Sequence, residues 1–208
     1  MLIAVLSFVA ASALIVLLPG PDTLVVLRGL LRDGKQQARR TVLGVLTGLT
    51  VWATAAVVGL SALLRASHDG YNALRIIGGV YLVIVGVQAF RSRGASAEID
   101  AADLGQQRRG VIGTGYVAGL TTDLLNPKVG VFFVTFLPAF VPHGANVNLM
   151  TAIFGATFVL ETALYFLVFL AFADKLIARM KRPRFRAVLD RCTGAVLMGF
   201  GVRLALEA

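Results

Sequence analysis

The chain has 208 residues, 57% of them hydrophobic and 15% charged, with a mean hydropathy of +0.81. That balance excludes a soluble globule with a wet surface and leaves an all-α polytopic membrane protein. The net charge of +9 does not point to nucleic acid, because Lys and Arg collect in the gaps between apolar runs.

The first apolar run extends from Leu2 to about Leu31 and is interrupted by Pro19-Gly20-Pro21-Asp22. A cleaved leader fits it poorly: no basic region precedes it, the stretch to Leu18 is long for a leader core, and no clear small-residue cleavage site follows. Arg32 to Arg40 reads as a basic cytoplasmic turn. A second span is expected from about Thr41 to Leu64, with Gly44 and Gly48 spaced to let two helix backbones approach. After a short connection at 65–70, a third span is expected from about Tyr71 to Phe90, with Arg75 placed to reach the headgroups.

Hydrophobicity stops between Arg91 and Arg109, which reads as a linker between two halves. The fourth run, Gly110 to Val141, has about 32 residues, whereas one span takes roughly 20. It is interrupted near its middle by Asp123-Leu124-Leu125-Asn126-Pro127-Lys128. Freed backbone groups and charges at that depth are tolerated only in protein or beside a wet cavity, so the break marks a candidate site. The turn at 142–148 has no Lys or Arg, and its His143 reads as a solvated loop residue, not a metal ligand. A fifth span from about Leu149 to Ala173, a basic segment at 174–186 and a sixth span from about Val188 to Leu206 complete the chain. The single Cys192 permits neither an intramolecular disulfide nor paired-thiol chemistry.

Segments 28–40, 91–109 and 175–186 hold fifteen of the twenty Lys and Arg residues, which makes them cytoplasmic by the positive-inside rule. Six spans with both termini outside satisfy that pattern. Three spans per half then require that related halves be inverted, as repeats 1–91 and 110–208 joined by the linker 92–109. Each half opens on an overlong run broken at a proline motif, Pro19 in one and Pro127 in the other, and paired breaks of this kind point to a transporter's substrate site.

The chemistry of the breaks agrees. Asn is a strong helix cap and Pro suits the first helical position, so Asn126-Pro127 starts a half-helix. Gly20-Pro21 does the same, with Asp22 in its first turn. Four ionisable residues lie at membrane depth: Asp22, Asp123, Lys128 and Glu161. Glu161 sits mid-span, where an unpaired charge costs about 2.5–3.5 kcal/mol on insertion scales. A structural reading pairs Lys128 with Asp123 or Glu161 to hold the bundle. The functional reading gives a cationic amine or exchanging protons to the carboxylates, and a carboxylate to Lys128, Asn126 and the helix ends. A free amino acid satisfies both.

Pro19-Gly20-Pro21-Asp22, the basic turn with Gly34, Gly44 and Gly48, and above all Asn126-Pro127-Lys128 followed by Phe132-Phe133 and Leu137-Pro138-Ala139-Phe140-Val141, resemble the lysine exporter (LysE/RhtB) family of amino-acid efflux transporters. The resemblance covers essentially the whole chain. It implies an inner-membrane carrier that expels amino acids or close derivatives in exchange for protons, as an oligomer and without a cofactor. One departure is Ala139, where many relatives carry Gln.

Two other classes were weighed. A channel for a small polar solute can be built from inverted repeats, with Asn126-Pro127 at a pore cap, but the buried acids favour coupled transport. A membrane enzyme lacks support: no His or Cys cluster, phosphate-cradling glycine loop or Ser with an intramembrane His stands out.

Overall fold

A computed structural model describes residues 2–17, 19–66, 113–142 and 144–173, with scattered positions between 76 and 90 and between 188 and 202; every element among them is helical. The expected third and sixth spans, the connection at 65–70, the linker 91–109, His143, the basic segment 174–186 and Cys192 lie wholly or largely outside the described residues. Where the third and sixth runs are described, Gly86 and Gly194 meet: a Cβ on Gly86 would lie 2.8 Å from the Gly194 carbonyl oxygen.

Helix α1 is Leu2–Leu17, and at 16 residues it covers about 24 Å, short of the roughly 30 Å hydrocarbon core. It stops before Pro19-Gly20. Helix α2, Pro21–Ala66, starts with Pro21 at its first position, and the Gly20 carbonyl accepts the Leu24 N–H at 3.0 Å. The first apolar run is therefore two helices meeting at the proline motif, as expected.

The basic turn over 32–40 is corrected by the structure. Both sides of it are helical, and the chain turns at Gly34 alone, with φ 81° and ψ −178°, a conformation open to glycine and strained for other residues. The physical reason is that Gln36, Gln37, Ala38, Arg39 and Arg40 are sound helix formers, so only Gly34 leaves the helix. The two arms of α2 close on each other at this corner. A Cβ on Gly29 would lie 3.1 Å from Thr41 Oγ1 and 3.6 Å from Ala38 Cα.

The fourth run divides into α3, Tyr116–Leu124, and α4, Pro127–Val131, which tightens and loosens through a π turn at Phe132–Phe136 and a 3-10 turn at Leu137–Phe140. The two parts meet at 52°. Asn126 caps α4 by accepting the Lys128 N–H at 3.0 Å on Oδ1, with Pro127 at the first helical position. Helix α5 is Val147–Ala171. Among the described residues two stretches are long and apolar enough to cross a membrane, Pro21–Gly59 and Val147–Ala171, or three if the bent pair counts as one span.

Burial patterns agree with lipid as the solvent. On α5, Phe158, Thr162, Phe166 and Phe169 are buried, while the opposite stripe of Leu160, Leu164, Leu167 and Val168 is exposed and apolar. In water such a stripe would be a liability; in a bilayer it is the contact surface. The core joins α1, α4 and α5 through aromatic rings. Phe8 stacks on Phe154 at 4.3 Å and Phe132 on Phe158 at 3.9 Å.

Small residues bring α3 against the second arm of α2. A side chain on Gly44 would collide with the Tyr116 carbonyl, one on Gly119 with the Thr41 carbonyl, and one on Gly48 with the Asp123 carboxylate. Gly44 and Gly48 are thus helix-packing glycines, as their spacing suggested. This crossing sets α3, and with it the break at Asn126, beside the start of α2.

Candidate functional site

The two proline breaks meet in the interior. Pro19-Gly20-Pro21 brings Asp22 into the first turn of α2, and Asn126-Pro127 brings Lys128 into the first turn of α4. Asn126 Nδ2 donates to Asp22 Oδ2 at 2.7 Å. Because Asn126 Oδ1 is committed to the Lys128 N–H, its amide group points its donor at the carboxylate. One side chain thereby caps the second half-helix and binds the first.

Lys128 crosses the same gap in the other direction. Its Nζ donates to the Ile15 carbonyl at 2.9 Å, in the last turn of α1, where helix carbonyls lack internal partners and the dipole favours a cation. Lys128 also interacts electrostatically with Asp22. The Lys128 side chain passes beside Gly20, where a Cβ would stand in ordinary contact at 3.8 Å from both Cδ and Nζ. The sequence left Lys128 to pair with Asp123 or Glu161; the contacts described for it are instead to the Ile15 carbonyl and the Asp22 charge.

Asp123 is fully buried, and neither carboxylate oxygen has a hydrogen-bond partner. It lies against Gly48 and near enough to Asp22 for the two charges to interact. An ionised carboxylate without a partner in that setting would be costly.

A small cavity of ≈ 40 Å³ adjoins this cluster. Its lining combines the charged Asp22 and Lys128 beside Gly20 with the apolar Leu49, Val129, Phe132, Phe158 and Phe166. It also holds hydroxyls: Thr23 and Tyr165 face each other at 3.4 Å, and Thr162 has a buried oxygen with no partner. Asp22 Oδ1 is likewise covered and unpaired. The volume is well below the roughly 300–1,000 Å³ of ordinary ligand pockets.

Glu161 is placed apart from that cavity, on the side of α5 that meets α1. The Ser12 hydroxyl faces it, but that hydroxyl is already donated to the Phe8 carbonyl at 2.8 Å, and neither Glu161 oxygen gains a hydrogen bond. The structure thus puts Asp22 and Lys128 at the cavity, with Asn126 bound to Asp22 and Asp123 nearby outside the lining, and leaves Glu161 on a second buried surface.

Thr23, Thr162 and Tyr165 were not singled out in the sequence. Their signal was the stripe Phe158, Thr162, Tyr165, Phe166 at helical spacing, which shares one face of α5. Glu161, as the charged neighbour, drew attention to the adjacent face. No group of three or more His, Cys, Asp or Glu side chains that could hold a metal ion occurs among the described residues.

The family model described as LysE type translocator matches residues 13–208. Among curated proteins, the chain is similar to membrane protein YrhP of Bacillus subtilis (strain 168), at 29% identity over 98% of this chain and 99% of that one. It is also similar to the threonine efflux protein of Escherichia coli (strain K12), at 28% identity over 91% of each chain. A homoserine/homoserine lactone efflux protein of Salmonella typhi is 26% identical over 96% of this chain and 94% of that one. No solved structure matches.

Proposed function

The chain belongs to the LysE type translocator family, and from that premise we propose that it is an efflux carrier for amino acids or close derivatives, working by alternating access in exchange for protons. Membership makes it a membrane translocator. The observation that carries the carrier reading is the Asn126 to Asp22 hydrogen bond at 2.7 Å, which ties the two helix breaks together beside a small cavity.

The zwitterion fits that cavity at two points. The unpaired Asp22 Oδ1 takes the ammonium group, and Lys128 takes the carboxylate by exchanging its Ile15 carbonyl for the substrate. Asp123 lies behind them as a further buried acid, and Glu161 is the proton site on the neighbouring surface, so substrate and proton occupy different carboxylates. Threonine and homoserine efflux in the named relatives supports the amino-acid class.

The architecture that goes with this mechanism is six spans in two inverted three-helix repeats, 1–91 and 110–208, with the 92–109 linker cytoplasmic and both termini outside, in the inner membrane. Two broken helices entering one cavity support it. An oligomer is expected from the family resemblance.

The deciding experiment is counterflow and pH-gradient-driven flux of labelled amino acids in proteoliposomes. Saturable exchange driven by the gradient is the expected result. Inserted protein that moves no amino acid under either condition would sink the reading.

A further inference from the structure

We propose that Asp33, Gln37 and Thr41 of α2 form a latch with Thr114 and Gly115 ahead of α3, and that this latch must part for substrate to reach the site from the cytoplasm; this rests on the exporter reading and the orientation given above. The latch consists of three hydrogen bonds at the Gly34 corner. Thr114 Oγ1 donates to Asp33 Oδ2, Gln37 Nε2 donates to the Thr114 carbonyl at 3.2 Å, and the Gly115 N–H donates to Thr41 Oγ1 at 3.0 Å. Thr41 in turn donates to the Gln37 carbonyl at 3.0 Å, which links the last two bonds into one network.

The place of the corner in the fold gives these bonds their leverage. From it the first arm of α2 leads back to Asp22, eleven residues or about 17 Å away, and α3 leads forward to Asn126. The same helices are thus joined at both ends, by Asp22 and Asn126 at the break and by Asp33 and Thr114 at the corner. Between the two ends the second arm of α2 meets α3 through Gly44 and Gly48, which slide more readily than interlocked side chains. Among residues 28–40 five are basic and Asp33 is the lone acid, which puts the corner on the cytoplasmic side, from which an exporter loads.

Two features suit this corner to open and close. The chain turns on glycine on both sides of the latch, at Gly34 with φ 81° and at Gly115 with φ 98°, and element-terminal positions of this kind absorb a rotation without unwinding a helix. Gly115 also fits the engaged latch closely, since a Cβ there would lie 2.5 Å from Gln37 Nε2. The second feature is water. The bond between Asp33 and Thr114 is exposed, and a polar recess of ≈ 380 Å³ adjoins it, lined by Arg32, Asp33, Gln36, Gln37, Gly113 and Thr114. Water in that recess can take over each donor and acceptor as the latch parts, so opening leaves no polar group dry.

A fixed brace made of the same bonds behaves differently when it is tied covalently. A brace still works when tied, whereas a latch that cannot part stops transport. Asp33→Cys/Thr114→Cys, in a chain that also carries Cys192→Ser, places one thiol on each side of the hydrogen-bonded pair. The two thiols are joined by a short, reducible bis-methanethiosulfonate linker, joining is confirmed by mass spectrometry, and counterflow of labelled amino acids, beginning with L-threonine, is followed in proteoliposomes.

Transport is expected to be lost on joining and to return on reduction. A long flexible linker on the same thiols spans the pair without holding it shut, and is expected to leave transport near the unlinked rate. Full transport with the short linker overturns the latch, as does equal loss with both linkers, which would mark a disturbance of the corner and not its closure. Should this variant fail to insert, Gln37→Cys/Thr114→Cys is joined and read in the same way. Inserted wild-type protein that moves no amino acid overturns the exporter reading itself, a result distinct from full transport by the linked variant.

Discussion

Asn126 and Asp22, 104 residues apart in sequence, are joined at 2.7 Å by a hydrogen bond from the Asn126 side-chain amide, whose oxygen accepts the Lys128 N–H and caps its own helix. The cap and the bridge can be separated by substitution. Asp caps a helix as well as Asn but has no N–H to offer. Asn126→Asp is therefore expected to lose export by roughly tenfold or more, the scale of one hydrogen bond to a charged group, and to have a lowered thermal midpoint at neutral pH because its carboxylate faces that of Asp22. Asn126→Ala removes the cap as well and is expected to cost about 1 kcal/mol of stability in addition. Export by Asn126→Asp at the wild-type rate would show that the bridge has no part in transport.

Lys128 reaches the end of α1 and also stands beside Asp22. In Lys128→Ala the affinity for amino acids is expected to fall much more than the affinity for the corresponding amines without a carboxylate, because only the former lose a partner. Competition of labelled amino-acid uptake by each analogue measures this. Equal losses for both classes would assign Lys128 to holding α1 in place and remove it from substrate recognition.

Much of this site was legible in the sequence for electrostatic reasons. Asp22 and Lys128 are charges in apolar runs, and Pro19, Pro21 and Pro127 cannot sit inside an uninterrupted span, so both breaks announce themselves. The Asn126 cap followed from its place before Pro127. What the sequence concealed were properties of the third dimension. Arg32, Lys35, Arg39 and Arg40 suggested a loop, yet a helix tolerates exposed basic residues, and only Gly34 turns the chain. Thr162 and Tyr165 are ordinary residues for a membrane helix, and their role depends on which face of α5 meets the break. The distinction between Glu161 and its neighbour Thr162 is a rotation of about 100° around one helix, which no charge count reveals.

Glu161 gives the sharpest test of separate substrate and proton sites, because it lies off the cavity and beside Ser12. Glu161→Gln keeps the size of the side chain and removes its titration. The variant is expected to insert normally, to lose flux driven by a pH gradient, and to retain exchange of internal for external substrate, which needs no net proton movement. Parallel measurement of the two fluxes in the same vesicles is sufficient. Gradient-driven export at the wild-type level would remove Glu161 from the coupling step, and loss of both fluxes would place it with the substrate.

Gly48 and Asp123 form a fitted pair whose coupling can be measured directly. The absence of a side chain on Gly48 is what leaves room for the Asp123 carboxylate, and that carboxylate has no hydrogen bond to hold it elsewhere. Gly48→Ala is expected to be destabilising because the added methyl meets the acid. Asp123→Ala removes the carboxylate and leaves the Asp123 Cβ 2.9 Å from the added methyl, so the double variant Gly48→Ala/Asp123→Ala should be rescued in part, more stable than the sum of the single changes implies by about 0.5–3 kcal/mol of coupling. Gly44→Ala supplies the contrast: its methyl would strike the Tyr116 backbone carbonyl, which no side-chain change can withdraw. Asp123→Ala should therefore rescue Gly48→Ala and leave Gly44→Ala unrescued. Thermal midpoints of the purified variants in one detergent report both cycles. Equal rescue of the two glycine variants would mean that Asp123 strains the α2–α3 crossing as a whole, whereas rescue confined to Gly48 identifies a carboxylate kept in a tight, unpaired position for a purpose other than packing.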